Sequence, residues 1–335
     1  MGIKKGNLRK KNIPVGVIFY LIVLTIVVVM FSILDDTFLT FRNIDSIFRH
    51  LSVIAISALG YTFILSVRRM DMSFYMTACF GSMTMAFCIS LGFHPILSVL
   101  VGLISGGMFG FFAGYIITKF KTPDIITTIA IGFVAFGSAY LYSGGAYIFQ
   151  NFMSSGVMQL NEARILGISV PTVIMLSLFI VSYIFLEKTT FGRMFYATGS
   201  NIKAAFYSGI KVKHVIIAAF IICAVLATLS ATITNASAGR GAVRTGLPLL
   251  LPSISASFLG FAIMRRPSVL GTFMATLLTS VIANGMILLN IPFYFGDMMN
   301  SILLIIALSI TYLSTERIAK SNLGKTERMS LNAEK

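Results

Sequence analysis

Residues 15–34 read VGVIFYLIVLTIVVVMFSIL, with no charged or amide side chain among them. A helix of roughly 20 such residues, rising about 1.5 Å per residue, covers the roughly 30 Å hydrocarbon core of a bilayer. The run begins at Ile13 and is followed by others, giving ten predicted spans at 13–34, 46–67, 72–91, 95–118, 123–142, 167–186, 214–236, 247–264, 267–290 and 298–314. With 57% hydrophobic and 11% charged residues, the chain lacks the charge that a water-facing surface needs. The runs are continuous rather than alternating, which excludes an outer-membrane barrel. An all-α polytopic membrane protein is therefore expected. The first run is too long for the apolar part of a secretory signal and has no small-residue cleavage site, so it is expected to be an uncleaved anchor. The organisation predicted is a basic N-terminus over 1–12, one membrane domain over 13–314 interrupted by a polar loop over 187–213, and a tail over 315–335.

A net charge of +15 raises the question of nucleic acid. Placement of the charges argues against it. With the N-terminus set in the cytoplasm, twenty-one Lys and Arg fall on the inner side, and only Arg42, Arg49, Arg164, Arg240 and Arg244 on the outer. That asymmetry is the positive-inside rule and predicts both termini in the cytoplasm. Two spans are irregular: TGLPLLLPSISASFLGFAIM carries Pro248 and Pro252, and LGYTFILSVRRMDMSFYM is broken by Arg68, Arg69 and Asp71. Either pattern suits a discontinuous helix of the kind that builds transporter sites. Leu59 and Gly60 precede the first Arg pair as Leu259 and Gly260 precede Arg265 and Arg266, an echo compatible with an internal repeat or with chance.

The residues of enzyme chemistry are sparse. His50, His94 and His214 are isolated, Cys79, Cys88 and Cys223 lie inside apolar runs, and no metal-ligand spacing occurs. Among the carboxylates only Asp71 falls where it can lie deep; Asp35, Asp36, Asp45, Glu162 and Asp297 are expected outside, with Asp124 and Glu187 near the inner face. The GKT at Gly324–Thr326 lacks the first glycine and the strand of a phosphate loop, so this chain is expected to hold no nucleotide and no metal. Gly102, Gly106, Gly110 and Gly114 recur every fourth residue along one helix face, a pattern for close packing within one subunit or along a dimer seam.

The loop FGRMFYATGSNIKAAFYSGIKVKH, 191–214, is the most informative stretch. Ser200 or Asn201 is a good N-cap, Ile202–Tyr207 favours helix, and Gly209 is a stop signal. A helix of about two turns is expected, with Ile202, Ala205 and Phe206 forming an apolar knob. Its bland reading is a helix resting on lipid headgroups, its sharper one a peg for a partner's groove. TTFGRMFYATGSNIKAAFYSGIKV resembles the cytoplasmic loop of permease subunits of ribose-type ABC importers, whose pattern runs T-x-F-G-R, A-x-G-x-N-x-x-A-A and S-G-I. FLTFRNIDSIF, MDMS, KFKTPDIITTIA, VLGT and ANGMILL extend the resemblance over nearly the whole chain. It implies a subunit of the bacterial cytoplasmic membrane, paired with itself or a paralogue. A separate ATPase holding ATP and magnesium would drive it, and an extracytoplasmic solute-binding protein would feed it. By the same resemblance Arg193, Gly199, Asn201, Ala204, Ala205, Ser208 and Gly209 belong to the ATPase-coupling element.

The chain departs from the family where G-G-I-D-L-S-V-G becomes RRMDMSFY, and where the glycines near the eighth and ninth spans become GFAIMRRPSV. Arg68, Arg69, Arg265 and Arg266 either face the cytoplasm and enforce topology or, with Asp71, Ser73 and Asn284, line the pathway. The second case would favour an anionic solute or the less active half of a heterodimer. A monosaccharide such as ribose is the expected solute. A nucleoside importer, an ion-coupled carrier and a non-transporting scaffold are the alternatives.

Overall fold

The computed structural model describes residues 15–292 and 294–309. The basic N-terminal segment, the tail and its GKT lie outside the described residues. Seven helices are long and apolar enough to cross a membrane, and three shorter apolar ones accompany them. In chain order the main helices are α1 (Val15–Leu34), α2 (Phe41–Ser66), α3 (Phe74–Ser90), α4 (Pro95–Phe120) and α5 (Asp124–Tyr140). After the short α6 (Phe152–Ser155) and α7 (Gln159–Glu162) and a hairpin of β1 (Arg164–Ile165) and β2 (Ile168–Ser169), α8 (Val170–Tyr183) runs into a π-helical turn, Ile184–Lys188. Then follow α9 (Thr190–Ser200), α10 (Ile202–Tyr207), α11 (Val212–Ala238), a 3₁₀ turn (Leu247–Leu249), α12 (Leu250–Met264), α13 (Val269–Leu288) and α14 (Tyr294–Ser309). The two-residue strands are the one small departure from an all-α fold among the described residues.

Local chemistry sets the helix ends. Thr40 accepts from the Asn43 amide to cap α2, Pro95 occupies the first turn of α4 and Pro171 that of α8, where no backbone donor is lost. Helix α2 starts at Phe41, five residues before the predicted span, because the polar FRNID belongs to its first turns. The Pro-containing segment is not broken: Pro248 sits in the 3₁₀ turn, and Pro252 in the first turn of α12. The other irregular segment does break, and Arg68 to Ser73 link two separate helices. Arg68 (φ 51°) and Arg265 (φ 56°) both sit in the left-handed region at a helix end, so the two Arg pairs share a turn geometry as well as a sequence echo.

Helix α11 is the centre of the bundle, packed against α2, α3 and α4. The α4 glycines make this possible. A Cβ at Gly102 would lie 2.7 Å from the Gly81 carbonyl oxygen of α3, one at Gly110 would lie 2.6 Å from the Phe220 carbonyl oxygen, and one at Gly114 would lie 2.8 Å from Ile217 Cα. At Gly106 it would collide with Thr228 Oγ1. The glycine face is thus covered by α3 and α11 of the same chain. Small residues permit backbone approach where lipid offers no hydrophobic drive. Hydroxyls complete the joints: Ser230 donates to the Val53 carbonyl at 2.6 Å, Ser257 to the Ala58 carbonyl at 2.9 Å, and the Thr62 and Thr272 hydroxyls meet at 2.6 Å.

Overpacking such a contact costs about 1–3 kcal/mol per site. Gly110→Leu, alone or with Gly106→Leu, is expected to lower the melting temperature of the detergent-solubilised chain and its folded yield, whereas Gly137→Leu, at a position with open space around it, should leave both near wild type. Equal melting of the two variants would show that the glycine face is not tightly packed.

Candidate functional site

The polar segment after α8 folds as two helices rather than the single one its sequence suggests. Thr189 supplies both ends of the junction: its hydroxyl donates to the Phe185 carbonyl at 2.6 Å and accepts from the Gly192 amide at 3.2 Å, capping α9. Asn201 Oδ1 accepts from the Ala204 amide at 3.0 Å and caps α10. Gly209 (φ 81°) ends it, with the Gly209 amide on the Phe206 carbonyl and the Ile210 amide on the Ala205 carbonyl.

Helix α9 is seated on the end of α2. Phe195 is buried in a three-ring cluster with Phe63 and Phe185, centroids 5.8–6.0 Å apart. Gly199 lies directly on the Ser66 carbonyl, leaving no room for a Cβ. On its other side the Tyr196 hydroxyl donates to Glu187 at 2.9 Å and lies 3.1 Å from the Pro267 carbonyl in the α12–α13 turn. Arg266 Nη2 donates to the second Glu187 oxygen at 2.8 Å. Burial, reinforced by the neighbouring carboxylate, holds the Tyr196 hydroxyl above its ordinary range, so it stays a donor.

The outward face of α10 differs from expectation at one residue. Ala205 is 4% exposed and packs inward, whereas Ile202, Phe206 and Tyr207 are 44, 66 and 86% exposed. Positions i and i+4 share a face, and it is the Ile202–Phe206 pair, extended by Tyr207, that makes the knob. Ala205 is its foot, not its tip. Arg193, Ala204, Ser208 and Gly209 are exposed, and Gly199 is buried at the α2 contact.

Of the residues singled out for a pathway, six lie in two turns at one end of the bundle and Asn284 lies at the other. Arg68 is exposed at the α2–α3 turn, and Arg69 pairs with Asp124 of α5 at 3.0 Å. Asp71 is fully buried there; its Oδ1 accepts from the Ser73 amide at 2.7 Å and hydroxyl at 2.6 Å, while Oδ2 has no partner among the described residues. Arg265 and Arg266 occupy the α12–α13 turn. Both Arg pairs thus lie at the bundle end where α9 docks, together with Lys119, Lys121, Lys188, Arg193 and Lys203. Asn284 is at the opposite end, exchanging two 2.9 Å amide hydrogen bonds with Asn43 and fixing α13 against α2.

At that opposite end a cavity of about 840 Å³ opens between α2, α11, α12, α13 and α14. Arg42, Asp45, Arg49, His50, Arg164 and Asp297 stand around it, with Thr234, Ser237, Thr279 and Asn300 among aliphatic side chains. Asp45 is shared by Arg164 at 2.7 Å and Arg49 at 3.5 Å. Sequence reading saw these residues only as outer charges, since nothing in their spacing signals that α2, α13 and the hairpin converge. Glu187 did carry a signal, being the single acid at the head of a loop, 187–213, that otherwise holds only basic charges.

The comparisons with known proteins agree with the loop. Residues 43–308 match the family described as branched-chain amino acid transport system / permease component. Ribose import permease protein RbsC of Bacillus subtilis is 30% identical over 286 residues, covering 85% of this chain and 89% of that protein. Autoinducer 2 import system permease protein LsrC of Salmonella choleraesuis is 28% identical over 274 residues, covering 81% and 78%. The ribose import permease protein of Haemophilus influenzae is 27% identical over 302 residues, covering 89% and 94%. No solved structure matches the chain.

A left-handed turn costs a non-glycine residue about 1 kcal/mol. Arg68→Gly and Arg265→Gly should therefore keep the fold, with a melting temperature equal to or slightly above wild type. A fall of several degrees in either variant would mean that the guanidinium, not the backbone, holds that turn.

Proposed function

The chain belongs to the permease-component family of the branched-chain amino acid transport systems, and on that premise we propose that it is the membrane-spanning subunit of an ATP-driven importer for a ribose-like monosaccharide. It is a multi-pass protein of the cytoplasmic membrane. The reading makes the three shorter apolar helices spans as well, ten in all, with the α9–α10 end and both termini in the cytoplasm. The charge distribution supports this orientation, since Arg68, Arg69, Lys119, Lys121, Lys188, Arg193, Lys203, Arg265 and Arg266 share that end.

One observation carries the functional reading. In a chain of this family, a helix of six residues stands outside the bundle, capped at both ends and presenting Ile202, Phe206 and Tyr207 to an unfilled surface. Apolar and aromatic anchors of this sort dominate protein interfaces. The occupant proposed is a separate ATPase subunit, which binds ATP and magnesium. An extracytoplasmic solute-binding protein and a second permease copy or paralogue complete the assembly. The cavity on the far side is the chamber that receives the solute: its hydroxyls, amides and arginines suit a polyhydroxylated solute, and its aliphatic wall suits weak, reversible contact. The relatives named for autoinducer 2 support a second solute to test beside ribose.

Co-expressed with its ATPase, the wild-type chain should co-purify as a complex and, with the binding protein, drive ATP-dependent uptake of labelled ribose or autoinducer 2 into vesicles. Phe206→Glu with Tyr207→Glu should weaken association at least tenfold while leaving membrane insertion intact. Arg49→Ala should leave the complex whole and lower uptake. Uptake that proceeds on an ion gradient without ATP would refute the reading.

A further inference from the structure

We propose that Glu187 is a positioning residue that fastens the α9–α10 element to the α12–α13 turn, with the π-helical turn Ile184–Lys188 as the hinge. Displacement received at Phe206 and Tyr207 then passes to the helices that line the far cavity. The inference rests on the reading of that knob as the ATPase contact.

Glu187 binds a distant cation rather than its neighbour. Lys188 is its chain neighbour, yet the carboxylate binds Arg266, which lies 79 residues away, at 2.8 Å. Its side chain is 10% exposed, against 54% for Arg266. An exposed ion pair alone does little for stability. A largely buried carboxylate held by donors from two different elements fixes their relative position instead. Tyr196 makes the junction three-way, because its hydroxyl reaches Glu187 at 2.9 Å and the Pro267 carbonyl at 3.1 Å.

These elements lead to the far cavity. Helices α12 and α13 pack side by side from the turn at Pro267 and both reach the cavity, α12 through Pro252 and the 3₁₀ turn at Pro248 before it, and α13 through Thr279 and Met286. A stiff helix carries a displacement of one end to the other, and packed interfaces switch between discrete arrangements rather than deform continuously. The seat of α9 on Ser66 and Phe63 couples α2, another cavity helix, to the same motion. Single π-helical turns are frequent at functional sites, and this one closes α8 just before the Thr189 cap of α9. Here the turn separates α8 from the element proposed to move.

The test uses the assembled complex of permease and ATPase in lipid nanodiscs, with spin-label pairs read with and without ATP. One pair, Lys121 and Lys203, reports the loop; the other, Ser237 and Met286, reports the cavity rim. In the wild-type complex both distances should change on ATP. In Glu187→Gln with Tyr196→Phe the loop change should persist and the rim change fall by half or more. Reversing the pair, as Glu187→Arg with Arg266→Glu, should restore part of it. If the double variant does not assemble, Glu187→Gln alone gives the same comparison. A rim change of wild-type size in the variant overturns the linkage and leaves the ATPase reading standing. A wild-type loop that does not respond to ATP overturns both.

Discussion

Contact between backbones around α11 is the constraint on which the rest of the structure depends. In a bilayer, helices gain nothing by hiding leucines from lipid, so association rests on dispersion and on hydrogen bonds that need close approach. Gly60, Gly106, Gly110 and Gly114 each remove a side chain at a point where α11 meets α2 or α4, and Gly81 does the same on α3. Thr228 sits where α3 and α4 both close on α11. With these helices locked over their middle lengths, the ends of the bundle are where rearrangement is possible. One end is filled by α9. The other, beyond the Gly60 contact of α2 with α11, holds the cavity.

This division gives the two ends different physics. At the loop end, aromatic rings, a buried carboxylate and a glycine on a carbonyl join α9 to α2 and to the α12–α13 turn. At the far end, charged side chains share partners loosely: one carboxylate serves two arginines, and the Arg42 guanidinium has no ion pair among the described residues. A stiff, shape-specific joint suits the passing of force, and an exchangeable set of polar groups would suit the solute proposed above. The Asn43–Asn284 amide pair keeps α2 and α13 in register across the mouth, so a shift of one helix there draws the other with it.

The helical architecture was legible because span length and charge placement are composition effects, readable without tertiary contacts. The caps at Asn201 and Gly209 were legible for the same reason: a capping side chain or a positive-φ glycine acts within a few residues of itself. The reading failed where the outcome depended on distant chain. Ala205 counts toward the apolar knob in the sequence, because a six-residue helix does not reveal which face meets α9 and α11. The second helix, α9, was missed because its polar and glycine content lowers local propensity, and its stability comes from Phe63, Phe185 and Ser66. The cavity was invisible, since its walls come from five helices whose convergence no local pattern records.

The two arginine turns carry a consequence for how the chain is made. Arg68 and Arg265 keep the left-handed backbone of the positions they occupy, so the hairpins α2–α3 and α12–α13 bend where glycine would bend them. A glycine turn, however, carries no net charge and favours neither side of the bilayer. A turn that bears two guanidinium groups does favour one, because carrying them across the bilayer is far costlier than leaving them at the surface. Wherever these hairpins enter a bilayer, their turns thus resist translocation independently of the glycine contacts that hold the bundle.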